Sequence, residues 1–376
     1  MKYCKKCLQP NTRPGGKSFD KNGICVACNY YIASEYADWE NRIDILREII
    51  RKNKIKNQRH FDCIIGVSGG KDSTRQALWV RNKLGLRPLL VCLTYPPEQV
   101  TKLGCSNISN LINLGFDVEI ISLSPETWKK IMRYSFLKFC NWAKGTEQAL
   151  ISAVPIIAIK YDIKLIFWGE NPGYQLGDLK SIGNTGYDGQ NIKNLNTVAG
   201  GKLNWLLKGG FKRNKIFNYE FPNKRLFKKK KLNIIYLGWF WKDWSLKENG
   251  YIGYLDGLSL RKENFKFSQD LYGITSLDED WVVLNQMIKY YKYGFGRVSD
   301  YMNEEIRRGL ISREKAIKIL EKYDGNCQRK YIKSFCKYIE ISEEKFWKIV
   351  KKFTNKKLFN ISKNNIKRKF KVGKGN

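Results

Sequence analysis

Phe61-Asp62-Cys63-Ile64-Ile65-Gly66-Val67, followed at once by Ser68-Gly69-Gly70-Lys71-Asp72-Ser73, is the stretch that decides how this chain folds. Its first part is an apolar run with the length of a buried parallel strand. After the loop, Gln76, Ala77, Val80 and Leu84 recur at helical spacing until Gly85 stops them. A Gly-rich loop between a strand and a helix is a phosphate cradle, because glycines let the backbone approach an anion and the N–H groups of the helix N-terminus point at it. Two common cradles are excluded. Walker A requires G-x-x-x-x-G-K-[ST], whereas Gly66 and Gly70 stand one residue too close and Lys71 is followed by Asp72. The dinucleotide pattern G-x-G-x-x-G is absent as well.

Outward from this stretch, strand signals recur at residues 89–94, 116–123 and 163–169, separated by helical segments near 97–114 and 126–160. Strands alternating with helices predict an α/β fold with a doubly wound parallel sheet. Upstream, residues 32–58 read as one basic connecting helix with Trp39, Ile43, Leu46 and Ile50 on a face. Before it come Cys4-x-x-Cys7 and Cys25-x-x-Cys28, 17 residues apart, with Gly15-Gly16 and Asn22-Gly23 as turns between them. Two such knuckles are the spacing of a four-thiolate zinc ribbon. A closed Cys4 site leaves no coordination position for substrate, so its expected role is structural.

The chain has 376 residues, 69 Lys and Arg against 35 Asp and Glu, and one histidine. A single His60 excludes multi-histidine metal sites, and its polar, basic surroundings argue against a Ser-His-Asp or Cys-His enzyme. The net charge of +34 suits anionic substrates, although residues 351–376 alone supply ten basic residues and no acid. No apolar stretch reaches membrane-spanning length and the N-terminus lacks the pattern of a secretory signal, so a cytoplasmic protein without a membrane partner is expected. In that compartment ten cysteines point to metal binding and free thiols.

Ser68-Gly69-Gly70-Lys71-Asp72-Ser73 resembles the pyrophosphate loop of the ATP pyrophosphatases. The resemblance implies adenylation: ATP is held by its β and γ phosphates, an oxygen attacks the α phosphorus, and pyrophosphate leaves. Lys71 and the loop would neutralise the pyrophosphate, and Asp72 would either hold Mg²⁺ or cap its helix. The likeness extends to the Cys ribbon with Pro10, Thr12, Arg13 and Pro14, to Phe167-Trp168-Gly169-Glu170-Asn171-Pro172, to residues 181–189 and 237–244, and to residues 273–300. Together, in this order, these motifs are similar to the N-acetyl sugar amidotransferases of bacterial lipopolysaccharide and flagellar glycan biosynthesis. The likeness runs from residue 1 to about 348 and leaves out the basic tail. It implies that ATP, Mg²⁺ and structural Zn²⁺ are the cofactors, and that ammonia displaces AMP from an adenylated acetamido group. It further implies a nucleotide-linked or sialic-acid-like N-acetyl sugar as substrate. Ammonia would come from a separate glutaminase subunit paired with a cyclase-like barrel subunit resembling imidazole glycerol phosphate synthase.

The candidate site residues follow. Ser68, Gly69, Gly70, Lys71, Asp72, Ser73 and Gly169 are the expected nucleotide contacts, with Lys71, Asp72, Glu170 and Asn171 as catalytic candidates. Glu170 and Asn171 follow a strand at the carboxyl edge of the sheet, where α/β folds bind ligands, but they also suit a helix cap. Asn184, Tyr187, Asp188, Asp280 and Arg297 are substrate candidates, and Cys4, Cys7, Cys25 and Cys28 the metal ligands. Ser276-Leu277-Asp278-Glu279 reads as a capping box for a helix carrying Trp281, Leu284 and Ile288. A second reading is a tRNA thiolase, for which Cys140 would be the sulfur carrier; it lacks the usual second cysteine, and no nucleic-acid partner is expected. The expected organisation is a ribbon and connecting helix (1–58), a nucleotide domain (59–215), a mainly helical substrate and partner region (216–350) and a disordered basic tail (351–376).

Overall fold

A computed structural model describes residues 1–15, 19–53, 61–194, 198, 200–262, 268–363 and 365–375. His60, Gly16 and the end of the expected connecting helix lie outside the described residues. That helix is two: Val26–Glu35 (α1), starting within the second cysteine knuckle, and Trp39–Asn53 (α2).

The centre is a parallel sheet. Cys63–Gly66 (β1), Pro88–Leu93 (β2), Val118–Ile121 (β3), Leu165–Trp168 (β4) and Asn233–Tyr236 (β5) align in the order β3-β2-β1-β4-β5. The register pairs Ile64 with Leu89 and with Ile166, and Ile166 with Ile234. The helices Lys71–Leu84 (α3), Lys102–Asn113 (α4), Pro125–Phe139 (α5) and Ala143–Lys160 (α6) make the crossovers. Alternation along the strands sends Cys63, Ile65, Leu90 and Phe167 to one face, against α3 and α4. Ile64, Val91, Ile166 and Ile234 go to the other, against Ile151, Val154 and Ile157 of α6.

The expected boundary at residue 215 cuts through this sheet, because β5 pairs with β4. Between them run Pro172–Leu176 (α7) and the short helices Asn204–Leu207 (α8), Arg213–Ile216 (α9) and Lys224–Lys230 (α10). Past β5 the chain is helical: Leu246–Leu255 (α11), Val282–Tyr293 (α12), Arg297–Arg307 (α13), Arg313–Tyr323 (α14), Arg329–Tyr338 (α15) and Glu343–Phe353 (α16). Ser342 caps α16 by accepting from the Lys345 N–H.

Two expectations fail. The basic tail is ordered: Phe359–Ile361 (β6) and Ile366–Arg368 (β7) form an antiparallel hairpin. Phe359 is buried and its ring meets Tyr290 and Tyr291 of α12, while Leu358 and Val372 are buried too. A few apolar side chains at the right spacing outweigh ten solvated charges. The proposed capping box is not one either. Ser276 has a left-handed φ of 51°, and α12 opens six residues later, after Trp281, without a side-chain cap bond.

The two ends of the chain meet. Leu8 N–H donates to Asn303 Oδ1 (2.8 Å) on α13, and Arg313 Nη1 of α14 donates to the carbonyls of Cys4 (2.7 Å) and Cys7. The N-terminal ribbon is therefore bound into the helical layer.

Candidate functional site at the sheet switch point

β1 connects leftward to β2, while β4 lies on its right, so the strand order reverses between β1 and β4. The crevice outside the carboxyl ends of such strands is where open α/β sheets take ligands. A cavity of about 400 Å³ lies there. Ser68, Gly70, Asp72 and Ser73 line it from the loop after β1, and Gly169 and Glu170 from the loop after β4.

The loop's shape comes from its glycines. Gly69 has φ +77°, and a Cβ there would meet the Gly104 carbonyl oxygen at 2.7 Å. Gly70 caps α3 without a side-chain bond, which leaves the first N–H groups of the helix available to an anion. Ser73 Oγ donates back to the Gly70 carbonyl (3.0 Å). At Gly169 a Cβ would collide with Gln76 Oε1 at 2.6 Å, and Gln76 itself holds the end of β4 by donating to the Phe167 carbonyl (3.1 Å).

Asp72 is fixed from two sides. Lys71 Nζ reaches Asp72 Oδ2 (2.7 Å), and Asn249 Nδ2 of α11 donates to Asp72 Oδ1 (2.6 Å). Lys71 is buried and does not line the cavity, contrary to the expectation of direct contact with a phosphate. Burial works against its charge, but Asp72 and Tyr301 outweigh burial and hold the ammonium above its ordinary value. Lys71 thus positions Asp72. Burial, then repulsion from Asp72, pushes the Glu170 carboxyl up to about 7. Asp72 and Glu170 are two carboxyl groups near enough to repel each other, and together they could hold a cation.

Asn171 is turned away from the cavity. Its Oδ1 accepts from the Tyr174 N–H (3.1 Å) as the cap of α7, and its Nδ2 donates to the Gly238 carbonyl (3.0 Å). The cap reading of its sequence was the right one.

Tyr95, which follows β2, and Asp278 and Arg297 from the C-terminal region complete the lining. Tyr95 Oη donates to Asp278 Oδ2 (3.1 Å), and burial raises the Asp278 carboxyl. The backbone around Asp278 is stitched to the start of α4: Thr101 N–H donates to the Asp278 carbonyl (3.1 Å), and a Cβ on Gly104 would meet Asp278 Cα at 2.6 Å. The sequence pattern includes Asp278 only as part of a capping box at 276–279, so nothing in it marks Asp278 as a cavity residue. Nothing in the sequence points to Asn249.

Of the substrate candidates, only Arg297 reaches this cavity. Asp280 lies behind it, 3.5 Å from Arg261 Nη1. Asn184 is exposed, Tyr187 packs against Trp239 and Phe240, and Asp188 Oδ1 accepts from the Gln190 N–H (2.8 Å). Those three line neither this cavity nor the one beside it.

The neighbouring cavity, about 350 Å³, shares Arg297 with the first. Arg13, Lys289 and Asp300 line it as a buried network: Arg13 pairs with Asp300, and Lys289 Nζ meets the other Asp300 oxygen at 2.9 Å. Burial would raise the Asp300 carboxyl, yet Lys289 and Arg13 hold it well below the carboxylate range. Burial lowers the Lys289 ammonium to about 8.

Arg13 is supplied by the cysteine ribbon. Cys4, Cys7, Cys25 and Cys28 are all buried, and their four sulfurs lie within 4.8 Å of one another. The Cys4–Cys28 and Cys7–Cys25 separations are 3.9 and 3.7 Å. A tetrahedron with Zn–S bonds of about 2.3 Å has edges of about 3.8 Å, so these residues fit a metal ion such as zinc. The Cys25 and Gln9 N–H groups donate to the sulfurs of Cys4 (3.2 Å) and Cys7 (3.4 Å), which stabilises thiolate.

The fold and the site define an α/β protein with a glycine-loop cavity at a sheet switch point and an N-terminal four-cysteine knuckle. Residues 259–372 match the family model for the C-terminal domain of WbpG-like LPS biosynthesis proteins. The match ties this C-terminal part to a family of lipopolysaccharide biosynthesis proteins and reaches into the basic tail as far as residue 372. No curated protein matches the chain. Among the described residues no helix is long and apolar enough to cross a membrane.

Proposed function

We propose that this protein is an ATP-dependent amidotransferase of the ATP-pyrophosphatase type, acting on an N-acetyl sugar. The observation that carries the proposal is the switch-point cavity, where a loop of pyrophosphate type and the carboxylates of Asp72 and Glu170 face one space. ATP binds with its β and γ phosphates at Ser68, Gly70, Ser73 and the start of α3. Mg²⁺ held by Asp72 and Glu170 would neutralise charge on the phosphates.

The sugar occupies the neighbouring cavity, so that its acetamido group passes Arg297 to reach the α phosphorus. The carbonyl oxygen attacks phosphorus, the bond to pyrophosphate breaks, and an O-adenylated imidate forms. Activation is needed because an amide is a poor electrophile. Ammonia then attacks the imidate carbon, AMP departs with the former carbonyl oxygen, one proton leaves the nitrogen, and an acetamidinium group remains. Ammonia is supplied by a separate glutaminase with its cyclase-like subunit. The cysteine knuckle takes no part in this chemistry; a metal there holds Arg13 in the wall of the sugar cavity.

The thiolase reading finds less support. Cys140 lines the neighbouring cavity without a second cysteine, and burial pushes its thiol up to about 12, away from thiolate. The test is incubation with ATP, Mg²⁺ and ammonium chloride at raised pH, with UDP-N-acetylhexosamines and N-acetylneuraminic acid as probes. A product in which NH replaces the amide oxygen, detected by mass spectrometry, is expected. Sulfur incorporated into tRNA, with no basic sugar under any ammonia supply, would overturn the proposal.

A further inference from the structure

Residues 201–231 are laid along α6. Gln148 Nε2 donates to the carbonyls of Gly201 (3.2 Å) and Tyr219 (2.9 Å) near the start of that helix, and Lys230 Nζ of α10 meets Asp162 Oδ1 (3.0 Å) past its end. Leu150, Ala153 and Val154 leave α6 on the side opposite Gln148 and line the switch-point cavity. Within residues 202–231 there are eleven Lys and Arg with Glu220 as the single acid, against 69 to 35 in the whole chain. All of them but Lys230 are exposed. Only Arg213, at 2.8 Å from Glu220, and Lys230 pair with an acid among the described residues, which leaves nine cations unpaired. The short helices bury one apolar side chain and turn the next outward: Leu206 and Ile216 are fully buried, whereas Leu207 is 38% exposed and Phe217 60%.

A lone exposed apolar side chain is ordinary. Two of them among nine unpaired cations make the composition of a membrane-surface element, in which lipid phosphates neutralise the charge and the acyl boundary takes the apolar groups. Nucleic acid would meet the cations but offers no apolar medium to Leu207. The tail carries ten basic residues as well, yet it exposes no large apolar side chain among the described residues. We propose that residues 202–231 are a docking surface for an anionic phospholipid membrane, with the lysines of α10 at the phosphates and Phe217 and Leu207 at the acyl boundary. Contact through this surface leaves the cavity lining on the other side of α6 untouched. The expectation of no membrane partner rested on spanning segments and a secretory signal, and this docking needs neither.

The test sediments the full chain with vesicles of phosphatidylcholine alone and with vesicles containing about one quarter phosphatidylglycerol. Binding to the anionic vesicles alone, weakened by salt at about 0.5 M, is expected. Equal binding to both, or binding to neither, would overturn the proposal, and tRNA retained by a protein that binds neither would assign the surface to nucleic acid instead. Arg225→Glu, Lys228→Glu and Lys229→Glu combined should lower the partition coefficient about tenfold or more and leave the thermal midpoint in place, because all three side chains are exposed. Phe217→Ser should lower it about threefold and leave the salt dependence unchanged, since it removes apolar contact and no charge. An affinity for anionic vesicles that neither variant moves would place the contact elsewhere and overturn the proposal.

Discussion

The two walls of the switch-point cavity are built by different means. The glycine-loop part of the sheet wall is made by neighbours in sequence: β1, its loop and the first turn of α3 are one continuous stretch, shaped by Gly69 and Gly70. The C-terminal wall, with Asp278 beside the loop and Arg297, is assembled from a distance. Asp270 accepts from the N–H groups of Gly273 (2.9 Å) and Thr275 (3.0 Å), Thr101 holds Asp278, and Asp324 accepts from the Gly296 N–H (2.8 Å) ahead of α13. The tail hairpin supports the same wall through Tyr290 and Tyr291. One wall brings backbone donors and a carboxylate to the cavity, where the proposed function puts the phosphates. The other orients what approaches them, and its integrity depends on the whole C-terminal layer.

The largest expected effect tests that dependence. Truncation after Val350 removes Leu358, Phe359 and Val372 from the core. At about 1.5–3 kcal/mol for each buried apolar side chain, the loss is on the order of 5 kcal/mol, comparable to the stability of a whole domain. Chemical denaturation should show a collapse of the cooperative transition. A truncated protein with wild-type stability would mean that the hairpin buttresses nothing.

Asp72→Asn should separate the chemistry of the sheet wall from its fold. The amide keeps an oxygen for Asn249 Nδ2 or Lys71 Nζ but removes the charge, and turnover should fall by about 10²–10³-fold, the scale of losing a charge-stabilising group. Stability should fall by less than in Asp72→Ala, which leaves the buried Lys71 ammonium without a partner. Wild-type turnover in Asp72→Asn would assign Asp72 a structural role through Lys71 and Asn249.

Glu170 carries a pH signature. Its carboxyl stands at about 7 in the folded protein against 4.5 ordinarily, so the native state binds the proton more tightly than the unfolded chain does. That stabilisation is complete below pH 4.5 and is lost as pH rises through about 7. Glu170→Gln should therefore be more stable than the wild type at pH 8 by on the order of 2 kcal/mol, and nearly equal to it at pH 4. Denaturant melts at the two pH values check this, and a pH-independent difference would contradict it.

The smallest effect is expected at Asn184, which is exposed and away from both cavities. Asn184→Ala should leave stability within about 0.5 kcal/mol and turnover within about twofold. A large fall in turnover would extend the substrate surface to the 181–189 segment.

What the sequence made legible follows the same division. The glycine loop, the parallel strands near it and the cysteine knuckles are local patterns, readable from spacing alone. β5 was missed because its four residues run into an apolar stretch that continues to Trp241, and only pairing with β4 identifies it as a strand. The tail misled because ten charges hide Leu358, Phe359 and Val372. Asp278 and Glu279 misled because the capping-box pattern ignores the left-handed Ser276 and the contacts to Gln99 and Trp281 that claim Glu279. Most of these failures are contacts between residues far apart in the chain; the capping box fails locally as well, at Ser276 and Trp281.

The most direct test of the central claim follows one oxygen atom. An N-acetyl sugar labelled with ¹⁸O in its acetamido carbonyl is turned over with ATP and ammonium, and the nucleotide product is analysed by mass spectrometry. Attack of that oxygen on the α phosphorus predicts AMP carrying the label, with pyrophosphate unlabelled. Unlabelled AMP, or ADP in place of AMP, would contradict the account.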